Sequence, residues 1–180
     1  MSKNLNLPNI LALFRIALAP LMLWFFVDRD NTIFSSWHPS WFDYFAGLIF
    51  VIASVTDFFD GYIARTWDQM TKFGGILDPL ADKMLVLAGF LGLMVLDRAS
   101  AWAVFLILSR EFFITGLRVV AVAEGKNVAS TMVGKVKTVA QMFAIGFLIM
   151  NWPYATTLLW FAVALTLYSG FEYTRDYFKA

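Results

Sequence analysis

From Leu7 to Val27 the chain reads LPNILALFRIALAPLMLWFFV, and only Arg15 in that run carries a charge. A hydrocarbon core about 30 Å thick takes about 20 helical residues to cross, so a run of this length and apolarity reads as a transmembrane span. Further apolar runs, separated by Gly, Pro, Asn or charge, predict spans near 42–65, 76–97, 101–123, 134–150 and 153–174 besides 7–27. Of the 180 residues 60% are hydrophobic and 15% charged, whereas soluble domains are about 45–50% apolar. Lipid cannot satisfy an open sheet edge, and the short alternating segments of a barrel are absent. The expected fold class is all-α: a polytopic bundle of about six transmembrane helices, forming one domain over residues 1–180.

Within such a chain charge is read by position. A formal net charge of +1 gives no basic field for nucleic acid. With the N-terminus inside, the cytoplasmic face receives Lys3, Arg65, Lys72, Lys126, Lys135, Lys137, Arg175 and Lys179, against only Arg29 and Arg98 outside. Arg15, eight residues into the first span, is expected to snorkel to the inner surface. Trp37, Trp41, Trp102, Trp152 and Tyr154 fall at outer ends and read as an interfacial belt, and His38 as a solvated loop residue. Asn6 and Pro8 suit the cap and first turn of the first helix. Without cysteine, disulfides, thiolate metal sites and thiol nucleophiles are excluded. No cleaved leader is expected, because Arg15 interrupts the first run and ALAPLMLWFF continues past its small residues.

The exception to apolarity is residues 57–83, DFFDGYIARTWDQMTKFGGILDPLADK. Asp57 and Asp60 are three apart and Asp78 and Asp82 four apart, so each pair shares a helix face, one at the end of the second span and one at the start of the third. Each close pair of carboxylates repels by about 4 kcal/mol at an effective dielectric near 20, so the cluster needs counter-charge. Arg65 and Lys83 would supply part of it in a merely salt-bridged hairpin. Charges within spans cost about 2.5–3.5 kcal/mol each and are functional by default. An oxygen-only donor set selects a hard cation, Mg²⁺ or Mn²⁺, and four carboxylates suit two ions. Two metals at a membrane surface suit phosphoryl transfer. Small Gly61 and Ala64 on the same helix would admit a nucleotide.

Asp57, Asp60, Gly61, Ala64, Arg65, Gly74, Asp78 and Asp82 match D-x2-D-G-x2-A-R-x8-G-x3-D-x3-D at every spacing, and by this signature the chain resembles the CDP-alcohol phosphotransferase family. The stretches NLPNILALFR, SREFFITGLR and GKVKTVAQM resemble their counterparts in bacterial members that use sn-glycerol 3-phosphate, with Ala12 standing where relatives often carry threonine. The resemblance implies two divalent ions on Asp57, Asp60 and Asp78, with Asp82 near the metals and acting as the base. It implies CDP-diacylglycerol bound along Gly61, Ala64 and Arg65, with Thr71 and Asn9 as further candidates. Six helices, a homodimer and a site open to the cytoplasm, in the inner membrane and among its lipids, are likewise implied.

Arg110 and Arg118 are eight apart on one face of the fourth span, and Lys135 and Lys137 open the fifth. Together they would hold the phosphate of an anionic acceptor such as sn-glycerol 3-phosphate. The positive-inside rule alone accounts for the lysines but not for arginines deeper in a span. Glu111 either orients Arg110 or Arg118 or makes an ordinary ion pair. The expected activity is transfer of a phosphatidyl group from CDP-diacylglycerol to sn-glycerol 3-phosphate with release of CMP. Its rivals are another acceptor (inositol phosphate, serine or phosphatidylglycerol) and, from another class, a cation transporter, against which stands the lack of a second Asp cluster.

Overall fold

The computed structural model describes residues 6–29, 36, 38–66, 71, 73–125 and 132–179, with the side chains of 58 and 60–66 outside that description. The described residues form six helices and no strand: α1 Leu7–Val27, α2 Pro39–Thr66, α3 Gly74–Val95, α4 Ala101–Ala123, α5 Met132–Ile149 and α6 Ala155–Lys179. The all-α expectation holds. α1, Pro39–Asp57 of α2, and α5 are long and apolar enough to cross a membrane. α3 and α4 are as long, at 22 and 23 residues, but each carries three charged side chains inside the helix: Asp78, Asp82 and Lys83, and Arg110, Glu111 and Arg118. Leu13, Phe14, Val51, Phe105, Phe113, Val122, Phe143, Phe161 and Phe171 lie exposed on helix surfaces, an apolar exterior that suits hydrocarbon rather than water. Trp41, Trp102, Trp152 and Tyr154 are exposed at helix ends, as a belt requires, while Trp37 lies outside the described residues.

The helices group into two compact units, Met1–Leu96 and Asp97–Ala180. In the first, α1 packs against both α2 and α3. Asn6 caps α1 by accepting from the Asn9 N–H at 3.1 Å, and Pro8 occupies the first turn, where a missing N–H costs nothing. The links between α1 and α2 run Arg15 to Asp57, Phe25 to Phe45 and Arg29 to Asp43, so the two helices are antiparallel. Those between α1 and α3 run Asn9 to Gly74 and Phe26 to Gly92, so these two are parallel. Small residues set that approach: Ala12 and Ala81 have no exposed surface and pack with Leu77 and Ile16.

In the second unit α6 packs against both α4 and α5. Gln141 of α5 donates to Thr166 of α6 at 2.8 Å, both side chains buried. α4 lies parallel to α6 along three successive links: Arg110 to Ser169, Arg118 to Tyr173 and Glu124 to Tyr177. The α5–α6 turn holds Asn151 and Tyr154 at φ 50° and 66°, left-handed values for which Asn is among the more tolerant residues.

At the α1–α3 crossing a Cβ on Gly92 would lie 2.1 Å from Phe26 Cδ2 and 2.7 Å from its Cβ, so Phe26 could not swing clear. Gly92→Ala gains about 1 kcal/mol in helix propensity, but overpacking a close crossing costs about 1–3 kcal/mol. Gly92→Ala is therefore expected to lower the thermal unfolding midpoint, and Gly92→Val to lower it further, as read by scanning calorimetry of the purified protein.

Candidate active site

The carboxylate cluster is assembled by all three helices of the first unit. Asp57 lies on α2, and Asp78 and Asp82 lie one turn apart on α3. Arg15 reaches them from α1. Its side chain has no exposed surface; Nη1 forms an ion pair with Asp57 Oδ1, and Nη2 lies 3.9 Å from Asp78 Oδ1. The expected snorkelling of Arg15 is corrected here: the side chain ends under the carboxylates because two anions are within reach, and a guanidinium in an apolar bundle is stabilised more by fixed partners than by a partial approach to water. Sequence reasoning missed Arg15 as a site residue and looked for counter-charge in Arg65 and Lys83. The signal was present as a lone charge in the middle of the most apolar run.

Asp57 and Asp78 are each about a third to two-fifths exposed, at 35% and 40% of the side chain, so the cluster has an open side. Asp78 nevertheless turns Oδ1 inward, where no hydrogen-bond donor meets it among the described residues. Asp82 is half-buried. α2 remains helical through Thr66, which keeps positions 57, 60 and 64 on one stripe of its surface; the side chains of Asp60, Gly61, Ala64 and Arg65 lie outside the described residues. Among the described residues no three acidic or histidine side chains converge closely enough to hold an ion.

Asn9 and Thr71 engage each other. Asn9, buried to 1% exposure, donates from Nδ2 to Thr71 Oγ1 at 3.0 Å. The same Oγ1 accepts the Gly74 N–H at 2.9 Å, and the Thr71 carbonyl accepts the Gly75 N–H at 3.0 Å. Thr71 thus caps α3 from just before its first turn, and Asn9 ties that cap to α1. This explains the signature glycine, because a Cβ at Gly74 would lie 2.5 Å from Asn9 Oδ1. Asp78 stands one turn beyond, so the latch that starts α3 also places the third carboxylate.

In the second unit the four expected acceptor cations divide. Lys137, 6% exposed, forms an ion pair with Glu111. Arg110 lies with Nη1 3.6 Å from the same Glu111 Oε1 and donates from Nη2 to Ser169 Oγ at 2.9 Å. Gly170 leaves room for it: a Cβ there would stand 3.0 Å from Arg110 Cγ. Glu111 is thus shared by buried Lys137 and largely enclosed Arg110, leaving these three groups one net positive charge. Arg118 is exposed, with its guanidinium carbon 5.8 Å from the centroid of the Tyr173 ring, and Lys135 is exposed.

The sequence profile of the CDP-alcohol phosphatidyltransferase family matches residues 5–168, across both units. Three bacterial proteins named CDP-diacylglycerol–glycerol-3-phosphate 3-phosphatidyltransferase are similar over nearly their whole length. That of Bacillus subtilis is 41% identical, covering 97% of this chain and 96% of its own. That of Escherichia coli K12 is 40% identical, covering 93% and 92%. That of Cereibacter sphaeroides is 34% identical, covering 96% and 95%. The profile and the relatives agree over most of both units, and the chain belongs to the CDP-alcohol phosphatidyltransferase family.

Proposed function

We propose that this protein transfers the phosphatidyl group of CDP-diacylglycerol to sn-glycerol 3-phosphate, yielding phosphatidylglycerophosphate and CMP. The observation that carries this reading is end-to-end similarity, at 34–41% identity, to relatives bearing that activity in their names, with the eight signature positions intact. A membrane setting agrees with the apolar exterior and with a water-soluble acceptor meeting a lipid donor at one surface. We take all six helices as spans and the two units as one catalytic domain. The Lys and Arg bias supports a site facing the cytoplasm from the inner membrane, and the protein works as a homodimer among membrane lipids.

Divalent metal suits the cluster: its donors are all oxygen, and Asp78 Oδ1 is a buried acceptor that no described donor satisfies. Asp57, Asp60, Asp78 and Asp82 would hold two ions, Mg²⁺ or Mn²⁺, which when bound neutralise the donor diphosphate and polarise the reacting phosphorus. Asp82 acts as general base, taking the proton of the acceptor hydroxyl as its oxygen bonds to the phosphorus that carries the diacylglycerol oxygen. The bond from that phosphorus to the oxygen bridging it to CMP breaks, and Arg65 stabilises the charge left on CMP. Gly61 and Ala64 give the nucleotide a surface without side-chain bulk. Asn9 and Thr71 support that surface by fixing the start of α3. Arg110, Arg118, Lys135 and Lys137 bind the acceptor phosphate, with Glu111 holding Arg110 and Lys137 in place.

Activity is expected to vanish in excess EDTA and to return with Mg²⁺ or Mn²⁺, as followed by release of CMP; full turnover in chelator would remove the metals from the reading. Asp82→Asn is expected to lower kcat by about 100-fold or more while changing CDP-diacylglycerol binding little, because a general base acts on the acceptor proton. Collapse of donor binding in that variant would instead make Asp82 chiefly a metal ligand.

The acceptor pocket is tested by KM. Arg110→Gln and Arg118→Gln should each raise the KM for sn-glycerol 3-phosphate by roughly ten- to a hundredfold, the worth of one charge-assisted hydrogen bond. The KM for CDP-diacylglycerol should stay nearly constant. Lys137→Gln should also lower the unfolding midpoint, since it takes a counter-charge from partly buried Glu111, whereas exposed Lys135→Gln should not. Equal use of glycerol and sn-glycerol 3-phosphate by the wild type would point to an uncharged acceptor.

A further inference from the structure

Arg15 combines features that the reaction just described does not use. Its guanidinium has no exposed surface, yet it serves carboxylates from two different helices, Nη1 on Asp57 of α2 and Nη2 3.9 Å from Asp78 of α3. Ala12, one turn before it, and Ala81, on the Asp78–Asp82 turn, are both fully buried and let α1 and α3 approach closely enough for this reach. A guanidinium is a planar fork of donors with a fixed charge, so a single side chain can address both acids, which the point charge of a lysine ammonium does less well. Because the side chain is enclosed, it stays at the floor of the cluster whatever binds at the open side.

We propose that Arg15 is the resident counter-ion of the carboxylate site: a positioning residue that holds Asp57 and Asp78 together before metal arrives, at the cost of weaker metal binding. The proposal rests on the divalent-metal reading given above. Its physical basis is a trade between two states. In metal-free protein the carboxylates repel one another, and the buried cation offsets that repulsion and lets the site stand assembled. When metal is bound, the same cation adds repulsion toward the incoming ions. Removing its charge must therefore destabilise the metal-free protein more than the loaded one, and by linkage the loaded state becomes relatively more favourable.

The test uses the purified full chain in detergent, with Mn²⁺ as probe, its binding read from the electron paramagnetic resonance signal of the free ion and stability read from thermal unfolding. In Arg15→Met the unfolding midpoint should drop far more in chelator than in saturating Mn²⁺, and the Mn²⁺ dissociation constant should tighten by about tenfold. Arg15→Lys, which keeps the charge, should stay within about threefold of wild-type affinity. The double variant Arg15→Met/Asp57→Asn, which removes an anion along with the cation, should recover stability in chelator relative to Arg15→Met. It also decides the matter if Arg15→Met cannot be purified, because failure to recover then overturns the proposal. An equal drop with and without Mn²⁺ at unchanged affinity would make Arg15 an ordinary core residue and overturn it, as would weaker Mn²⁺ binding in Arg15→Met. Wild-type protein that binds no Mn²⁺ overturns the metal reading and this proposal with it, whereas wild-type binding with no shift in the variant overturns this proposal alone.

Discussion

A fully buried guanidinium in an apolar helix must have anions within reach, and the first helical unit is arranged around that requirement. Arg15 cannot turn to water, so α2 and α3 bring Asp57 and Asp78 to it. The dependence runs both ways, since the carboxylates would repel one another without it. The closeness of α1 to α3 serves the same end. Ala12, Ala81, Gly74 and Gly92 line that crossing, and larger side chains at the two glycines would meet Asn9 or Phe26. Helix packing through small residues is how an apolar bundle gains contact when lipid competes on equal terms for every larger side chain.

The second unit solves a similar problem with the signs reversed. Arg110 and Lys137, both largely enclosed, converge on the one carboxylate of Glu111, and Ser169 takes a remaining guanidinium donor. Two cations on one anion leave positive charge over, which a phosphate can use. In the first unit Asp57 and Asp78 share the enclosed Arg15, two anions on one cation, which suits metal ions. Each of these described groups thus carries a net charge of the sign opposite to its proposed ligand. That imbalance is costly in an apolar setting and therefore informative about function.

The site residues were legible to differing degrees, for identifiable reasons. Asp57, Asp60, Asp78 and Asp82 stand out because charge is rare in apolar helices and because helical spacing puts each pair on one face. Asn9 and Thr71 were further candidates for binding the donor nucleotide, and they bond to each other, 62 residues apart in sequence, and hold the start of α3. No local pattern announces such a pairing, because it depends on where α1 passes the α2–α3 connection. Arg15 was visible but misread: a long basic side chain inside a lone helix can snorkel toward water, and only the neighbouring helices show that it turns inward.

What the sequence determined by itself was the material of the fold: helices, because backbone in hydrocarbon must satisfy its own hydrogen bonds; their approximate ends, from apolar runs and the caps at Asn6 and Pro8; and the chemistry, from four aspartates at signature spacing. What the tertiary structure decided was partnership: that Arg15 neutralises Asp57 and approaches Asp78, that Glu111 is divided between Arg110 and Lys137 while Arg118 lies over Tyr173, and that Gly74 is small because Asn9 lies against it. The division has a physical cause. Burial and hydrogen-bonding demands belong to each residue and repeat along one helix, so they are written in local order, whereas charge compensation and close packing depend on distances between helices, which exist only once the helices have packed.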